Sequence, residues 1–260
     1  MRVFLTRPQD EAAAWAQHLS SRQHEVIGLP LIAIASITDL APVRLAWAHL
    51  ANLRAVMFVS ANAVRHFFAC KPSGDSWPRQ LRAWAPGSGT GAALCEAGLP
   101  DALIDAPPEH AHRMDSEALW ERVAGQVCAG ECVLIVRGSD ADASGADNSQ
   151  GNGRDWLGQQ LTRAAVLVTY LAVYERRLPD WTPEQMRAAA QGAHEGVWLF
   201  SSSQAIGNLL ALLPGQSWAQ ARALATHPRI AQAARDAGFG VVCESRASRA
   251  DVCAALESMQ

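Results

Sequence analysis

One sequence pattern, a short apolar strand that runs into a serine and then into an amphipathic helix, occurs twice in this chain. The first copy spans residues 58–68 and follows the run Ala55-Val56-Met57, and the second spans residues 200–210 and follows Val197-Trp198-Leu199. The copies match at Phe58 and Phe200, Ser60 and Ser202, Ala63 and Ala205, and Val64 and Ile206, always 142 residues apart. This internal repeat predicts two related half-molecules, each with a serine at a strand-to-helix turn.

The alternation of elements along the chain predicts the fold class. Short β-branched runs alternate with helical patterns, which is typical of parallel sheets with helices on both faces. Ligands of such sheets bind beyond the carboxyl ends of the strands, where the first N–H groups of a helix attract anions. The predicted strand ends carry Arg7, Ser60, the Gly87-to-Thr90 turn, Arg137, Ser202 and Thr226. One such junction alone is more often a simple helix cap, so the functional inference depends on the two matched copies.

The chain has 260 residues, enough for two domains, and two extended segments are candidate connectors between them. One follows Pro30, a residue that disfavours a central strand, and the other runs through residues 165–174. Gly98 and Gly238 are predicted helix stops, so the repeat extends beyond one motif. Residues 139–153 contain no large apolar side chain, and we expect a mobile surface insertion there.

Charge and cysteine content exclude several functional classes. The formal net charge is −3, so we expect no general attraction to nucleic acid or to an acidic membrane. The six cysteines include no Cys-x-x-Cys and no histidines at zinc spacing, which predicts reduced thiols in a cytoplasmic protein and no metal site. The N-terminal apolar run is too short for a signal peptide, and no run reaches the roughly 18 apolar residues of a membrane helix.

Six short motifs follow one another along nearly the whole chain. They are Leu5-Thr6-Arg7-Pro8, Gly28-Leu29-Pro30-Leu31, Phe58-Val59-Ser60-Ala61-Asn62-Ala63-Val64, Gly87-x-x-Thr90, Ile135-Val136-Arg137-Gly138 and Val173-Tyr174-Glu175-Arg176. In this order and spacing the chain resembles the uroporphyrinogen-III synthase family, enzymes without a cofactor that close the tetrapyrrole ring. Each motif is weak alone, and their combination carries the resemblance.

The resemblance implies an α/β fold of two similar flavodoxin-like lobes with parallel sheets, joined by a two-stranded antiparallel ladder. It implies a discontinuous first domain of residues 1–33 and 177–260, a second domain of residues 42–164, and a ladder of residues 34–41 and 165–176. The implied substrate is hydroxymethylbilane, a linear tetrapyrrole with eight carboxylates, which would bind in the cleft between the lobes without a cofactor or a metal.

The implied reaction begins with loss of the terminal hydroxyl as water, which leaves an azafulvene cation. The far (D) pyrrole attacks through its substituted carbon to give a spiro intermediate, which fragments and recloses with that ring inverted. The free substrate closes without inversion. The enzyme must therefore hold a flexible chain in one geometry, which is catalysis by positioning.

The resemblance also implies the site residues. Tyr174 is expected to donate a hydrogen bond to the departing hydroxyl, because a phenol is protonated at neutral pH. The expected substrate-binding residues are Arg7, Ser60, Ala61, Asn62, Gly87, Thr90, Arg137, Ser202, Ser203 and Thr226. A packed tyrosine without a catalytic role and arginines in ordinary ion pairs are the alternatives. Tyr170 lies four residues before Tyr174, so we expect both on one strand face and keep Tyr170 as a second candidate acid.

The sequence departs from the family pattern at two places. The turn Ala225-Thr226-His227-Pro228 stands where some members have Gly-Pro-Thr-Thr, so His227 either replaces the expected hydroxyl contacts or is simply solvated. Residues 139–153 are the second departure.

The competing function is a two-lobed binding or sensor module that closes on an acidic small molecule without chemistry. A flavoprotein is disfavoured because Thr6-Arg7-Pro8-Gln9 is not a hydroxyl-rich phosphate loop. The enzyme hypothesis predicts a cytoplasmic monomer that hydroxymethylbilane synthase can supply with substrate.

Overall fold

The computed structural model describes residues 1–107, 116–140 and 153–259. Two compact units make up the chain: Met1–Ile34 together with Arg177–Gln260, and Ala35–Arg176. The first unit is therefore discontinuous, since the second unit is inserted into it. Each unit is an α/β structure with its own sheet.

Over the described residues the strands and helices alternate along the chain. The strands are β1 (Arg2–Leu5), β2 (Glu25–Gly28), β3 (Ala33–Ser36), β4 (Ala55–Phe58), β5 (Arg82–Trp84), β6 (Ile104–Asp105), β7 (Cys132–Asp140), β8 (Leu167–Arg177), β9 (Val197–Phe200), β10 (Arg222–Ala225) and β11 (Val241–Glu244). The helices are α1 (Gln9–Ser20), α2 (Ala41–His49), α3 (Ala61–Ala69), α4 (Ser88–Glu96), α5 (Ser116–Val123), α6 (Gly153–Arg163), α7 (Pro183–Gly192), α8 (Ser203–Leu212), α9 (Pro228–Asp236) and α10 (Arg249–Ser258).

The first unit contains a parallel sheet in the order β11-β10-β9-β1-β2. If the five strands of this unit are numbered 1 to 5 in chain order, their order in the sheet, read from β2 to β11, is 2-1-3-4-5. This is the strand order of flavodoxin-like folds. Alternate strand residues point to opposite faces, so the sheet separates two buried clusters. One contains Phe4 and Trp198, whose rings stack at 4.8 Å between centroids. The other contains Val3, Leu5 and Leu199.

The second unit contains a mostly parallel sheet in the order β3-β8-β7-β4-β5-β6. Its central strand β4 is fully buried, which explains its uninterrupted apolar sequence. Strand β3 lies at the edge of this sheet, hydrogen-bonded to β8. The predicted fold class of two related α/β lobes is confirmed.

The two sheets share one spatial order, but the chain enters them at different strands. The order β6-β5-β4-β7-β8 corresponds to β11-β10-β9-β1-β2, with the repeated strands β4 and β9 in the same place. Val133 pairs with Ala55 as Val3 pairs with Val197, so Val3 and Val133 are equivalent. Counting four residues on along each strand makes Arg7 and Arg137 equivalent as well. The units are thus related by a circular permutation.

The predicted glycine stops have matching geometry. Gly98 and Gly238 have φ angles of +91° and +85°, values at which a side chain would be strained. Both donate to the carbonyl three residues earlier at 2.9 Å, and the next residue donates to the carbonyl five residues earlier at 3.1 Å. This is the hydrogen-bond pattern of a Schellman cap, and it ends α4 and α9 alike.

Two element boundaries differ from the prediction. Helix α4 begins at Ser88, so the Gly87-to-Thr90 segment, which we predicted to be a turn, forms the N-cap and the first turn of the helix. Strand β7 continues through Ser139 and Asp140, which we predicted to belong to the insertion, and α6 begins at Gly153. The strand continues because β8 provides a partner: Asp140 accepts hydrogen bonds from Arg176 at 2.9 and 3.3 Å. The rest of the predicted insertion, residues 141–152, lies outside the described residues.

Candidate active site

The serine junction of the second unit is a capped helix start. Ser60 has an extended backbone at the N-cap of α3, and its Oγ accepts the Ala63 N–H at 3.2 Å. Gly87 occupies the N-cap of α4, and Thr90 is buried in the first turn. The strands that precede these helices are parallel neighbours, so both helix starts lie at the same edge of the sheet. Their first N–H groups, including those of Ala61 and Asn62, lack intrahelical partners and can bind anions.

The phenol of Tyr174 reaches this edge. Its hydroxyl oxygen lies 3.2 Å from Oγ of Ser60, within hydrogen-bond distance. Its ring lies against the ring of His66 on α3, with centroids 5.5 Å apart and planes tilted by 34°. Only 3% of the residue is exposed. A single hydroxyl is therefore positioned at the edge by a serine on one side and a packed ring on the other.

Gly138 provides the space that the Tyr174 ring occupies. A Cβ added to Gly138 would lie 2.3 Å from Cε2 and 2.5 Å from Cζ of that ring. Any side chain at this position would therefore displace the phenol. The glycine in the motif Ile135-Val136-Arg137-Gly138 thus has a packing reason that connects it to the candidate acid.

A β-bulge corrects the expectation that Tyr170 and Tyr174 share a face. Arg137 pairs with Ala172, but Gly138 pairs with Tyr174, so β8 contains one extra residue at this point. An extra residue reverses the alternation of side chains. The hydroxyl of Tyr170 accordingly points to α6, against Gly158, whereas that of Tyr174 points to the start of α3. Helix α3 connects β4 to β5 and α6 connects β7 to β8, so the two connections run in opposite directions across the sheet. Because such connections are right-handed, α3 and α6 lie on opposite faces of the sheet.

The equivalent arginines have different surroundings. The Arg137 guanidinium stacks on Tyr170 at 4.8 Å from the ring centroid and makes no ion pair with any described residue. The Arg7 guanidinium stacks on Trp15 at 4.4 Å and donates to Glu11 at 3.1 Å. Burial lowers the pKa of Arg7, and Glu11 opposes that shift. Arg137 therefore has more hydrogen-bonding capacity left for a ligand than Arg7.

The first unit has its own serine junction, with a different hydrogen-bond pattern. Ser202 is the N-cap of α8, but its side chain makes no cap hydrogen bond, and Ser203 is exposed in the first turn. The Thr226 hydroxyl donates to the Phe200 carbonyl at 3.4 Å. The hydroxyls of Ser202 and Ser203 are available to a ligand, whereas that of Thr226 is partly used by the backbone.

His227 has a structural contact that the sequence did not indicate. It is the N-cap of α9, and its Nδ1 accepts the Arg229 N–H at 3.1 Å. In this bond the ring nitrogen Nδ1 is the acceptor. The exposed His227 thus caps the start of α9. This role differs from both sequence-based alternatives, which were a contact that replaces the expected hydroxyls and a side chain that is only solvated.

The described residues hold neither a metal cluster nor a membrane helix. Within residues 1–107, 116–140 and 153–259, no three His, Cys, Asp or Glu side chains are grouped to hold a metal ion. No helix in that part of the chain is both long enough and apolar enough to cross a membrane.

Comparison with known proteins decides the family. The family model described as Uroporphyrinogen-III synthase HemD matches residues 13–255, which is most of the chain. This chain belongs to the uroporphyrinogen-III synthase family. The match spans both units and includes the serine junctions, the Gly138 motif and Tyr174. It favours the enzyme over the binding module that shares the same junctions.

Solved uroporphyrinogen-III synthases have the same fold. A mutant enzyme from Thermus thermophilus is 16% identical, with 99% of this chain and 98% of that chain covered and a TM-score of 0.58. The enzyme from Helicobacter pylori is 15% identical, with both chains fully covered and a TM-score of 0.59. At these identities the likeness concerns the fold alone.

Two residues of this candidate site were not predicted from the sequence. Gly138 belongs to the motif Ile135-Val136-Arg137-Gly138, but its role depends on the ring that packs on it. His66 was part of the repeated helix, and nothing in its spacing indicated a contact with Tyr174, 108 residues later. For Gly138 the available sequence signal was a glycine directly after the arginine of a strand. For His66 the sequence contained no such signal.

Proposed function

We propose that this chain converts hydroxymethylbilane to uroporphyrinogen III, with loss of water and inversion of the D ring. The observation that carries this proposal is the family match over residues 13–255. The proposed activity needs no redox step and no group carrier. It needs assisted departure of one hydroxyl and control of which carbon of the far pyrrole closes the ring.

The departure step is assigned to Tyr174. The C–O bond of the hydroxymethyl group breaks, both electrons stay with oxygen, and the Tyr174 hydroxyl gives its proton to that oxygen, which leaves as water. The proton that the pyrrole loses when the ring closes returns to the Tyr174 oxygen. The adjacent pyrrole nitrogen supplies electrons to the carbon left behind, which gives the azafulvene cation. The contacts of Tyr174 with Ser60 and Gly138 support this role because they fix the position of the donor.

Substrate carboxylates are assigned to the helix starts and to two arginines, Arg7 after β1 and Arg137 within β7. In the second unit the proposed contacts are Ser60, Ala61, Asn62, Gly87, Thr90 and Arg137; in the first unit they are Arg7, Ser202, Ser203 and Thr226. A chain with a net charge of −3 cannot attract a polyacid through its overall field, so local N–H groups and arginines must bind it. Several fixed contacts also restrict the conformations of a flexible substrate.

The remaining parts of the proposal concern organisation. We propose a first domain of residues 1–33 and 177–260, a second domain of residues 42–164, and a connecting ladder of residues 34–41 and 165–176. We further propose a cytoplasmic monomer that receives its unstable substrate from hydroxymethylbilane synthase.

The test is turnover of freshly generated hydroxymethylbilane, with the product isomers separated by chromatography. We expect the type III isomer in excess over the spontaneous type I product. Type I product alone, at the spontaneous rate, would overturn the enzyme and leave the binding module.

A pair of tyrosine variants tests the assigned acid. Tyr174→Phe is expected to lower kcat by about 10²-fold, because general-acid assistance is typically of this order. Tyr170→Phe is the matched control, since its hydroxyl lies by α6 and its ring can still stack under Arg137. Equal kcat values for the two variants would remove the acid role from Tyr174.

A further inference from the structure

Three groups form a continuous hydrogen-bonded chain at the start of α3. The Ala63 N–H donates to Oγ of Ser60 at 3.2 Å, and the same oxygen lies 3.2 Å from the Tyr174 hydroxyl. The second contact is between two hydroxyls, so distance alone allows either one to donate. The direction matters, because a tyrosine that donates to serine has no proton left for a substrate.

We propose that Ser60 is a positioning residue that donates to the Tyr174 oxygen and thereby leaves the phenol proton for the departing hydroxyl. This inference rests on the proposed function. In the resulting chain the Ala63 N–H donates to Ser60, Ser60 donates to Tyr174, and Tyr174 donates to the substrate. Each hydroxyl accepts once and donates once, within its capacity.

The helix start favours this direction. The N-terminus of α3 carries a positive partial charge, and the N–H bond to Oγ withdraws electron density from the Ser60 hydroxyl. Both effects make Ser60 a better donor and a poorer acceptor. Hydrogen bonds in such a chain polarise one another, so the Tyr174 hydroxyl becomes a stronger donor in turn.

The other serine junction lacks this arrangement. Ser202 makes no side-chain cap bond, and both tyrosines of the chain belong to the second unit. The repeat therefore has two chemically different halves: Ser202 can offer its hydroxyl to a carboxylate, whereas the Ser60 hydroxyl is committed to Tyr174. Ser60 then contributes to substrate binding through the helix start and not through its own hydroxyl.

A simple cap explains only half of this geometry. Capping accounts for the Ala63 bond, but it does not require a buried phenol to approach the same oxygen. That approach depends on Gly138, whose missing side chain admits the ring, and on the bulge that directs Tyr174 to this face. Two independent features of β7 and β8 thus place the phenol on the serine.

A double-mutant cycle of Ser60→Ala and Tyr174→Phe tests the inference. With Tyr174 present, Ser60→Ala is expected to lower kcat about tenfold, the value of one lost hydrogen bond, with KM within about twofold. In the Tyr174→Phe background the same change is expected to leave kcat within about twofold. Ser60→Thr keeps the hydroxyl and is expected to restore most of kcat.

Two further variants separate positioning from capping. Ser248→Ala removes an equivalent cap, since Ser248 Oγ accepts the Asp251 N–H at 3.1 Å at the start of α10, and we expect kcat to be unchanged. If Ser60→Ala does not fold, Ser60→Gly replaces it, because glycine at an N-cap is almost as stable as serine.

An equal loss of kcat in both backgrounds, or a loss confined to KM, would overturn the inference. Either result would assign Ser60 to capping or direct carboxylate binding. The isomer assay of the unmodified protein is run alongside: absence of type III product there refutes the proposed function itself. Type III product together with an additive cycle refutes only the role of Ser60.

Discussion

Replacing Gly138 with alanine tests whether close packing against β7 positions the Tyr174 phenol. The new Cβ would lie 2.3 Å from a ring carbon, whereas ordinary van der Waals contact begins at 3.4 Å, so the ring must shift by about 1 Å. The ring is buried and lies against His66, and the shift therefore carries the hydroxyl away from Ser60. A displacement of about 1 Å at a positioned group lowers the rate by about 10²-fold. Overpacking should also lower the free energy of unfolding by about 1–3 kcal/mol.

The assay measures kcat and the type III fraction on one sample and chemical unfolding on another. Gly125→Ala is the control in the same unit, because a Cβ there meets no atom within 4 Å, and we expect its kcat to be unchanged. In a Tyr174→Phe background, Gly138→Ala should still reduce stability but should not reduce kcat further. A folded Gly138→Ala protein with wild-type kcat would refute the reasoning.

Three other predictions concern stability. Asp105→Asn should lower the free energy of unfolding by about 2 kcal/mol, because the buried Asp105 carboxylate accepts hydrogen bonds from Arg82 at 2.7 and 2.8 Å. A loss below about 0.5 kcal/mol in urea unfolding would contradict this prediction. Burial lowers the pKa of His24 below its usual 6.5, so the unfolded state binds more protons and stability falls as the pH drops below 6.5. His24→Leu should flatten that fall in unfolding curves at pH 7 and 5, whereas the exposed control His49→Leu should retain it. Gly207 is exposed in the middle of α8, and a Cβ there meets no atom within 4 Å. Because alanine has the higher helix propensity, Gly207→Ala should raise the free energy of unfolding by about 0.5–1 kcal/mol. An unchanged or lower Tm would contradict this prediction.

Features that depend on neighbouring residues were predictable from the sequence. One example is the capping box of Thr182 and Gln185 at the start of α7, whose Thr-x-x-Gln spacing is visible in the sequence because its two hydrogen bonds link residues three apart. The serine junctions and the stops at Gly98 and Gly238 are local in the same sense. Each is set by the conformation of a few consecutive residues, so a single sequence contains the information.

Boundaries that depend on packing were less predictable. The start of α4 at Ser88 was missed because glycine and serine have low helix propensity, which contacts with α3 override. The extension of β7 to Asp140 was missed because its last residues are polar. It exists because Arg176 on the adjacent strand pairs with Asp140, a contact between residues 36 apart.

The sequence by itself determined two related α/β units and the serines at their strand-to-helix turns, because both follow from local pattern and repetition. Only the tertiary structure decided that Arg7 and Arg137 are equivalent, since the permuted chain order hides that relation from a linear repeat. Only the tertiary structure separated Tyr174 from Tyr170, because a bulge is a property of two paired strands. The side-chain direction of Tyr174, and with it the contact with Ser60, therefore depends on how β7 and β8 align and not on the spacing of residues along β8 alone.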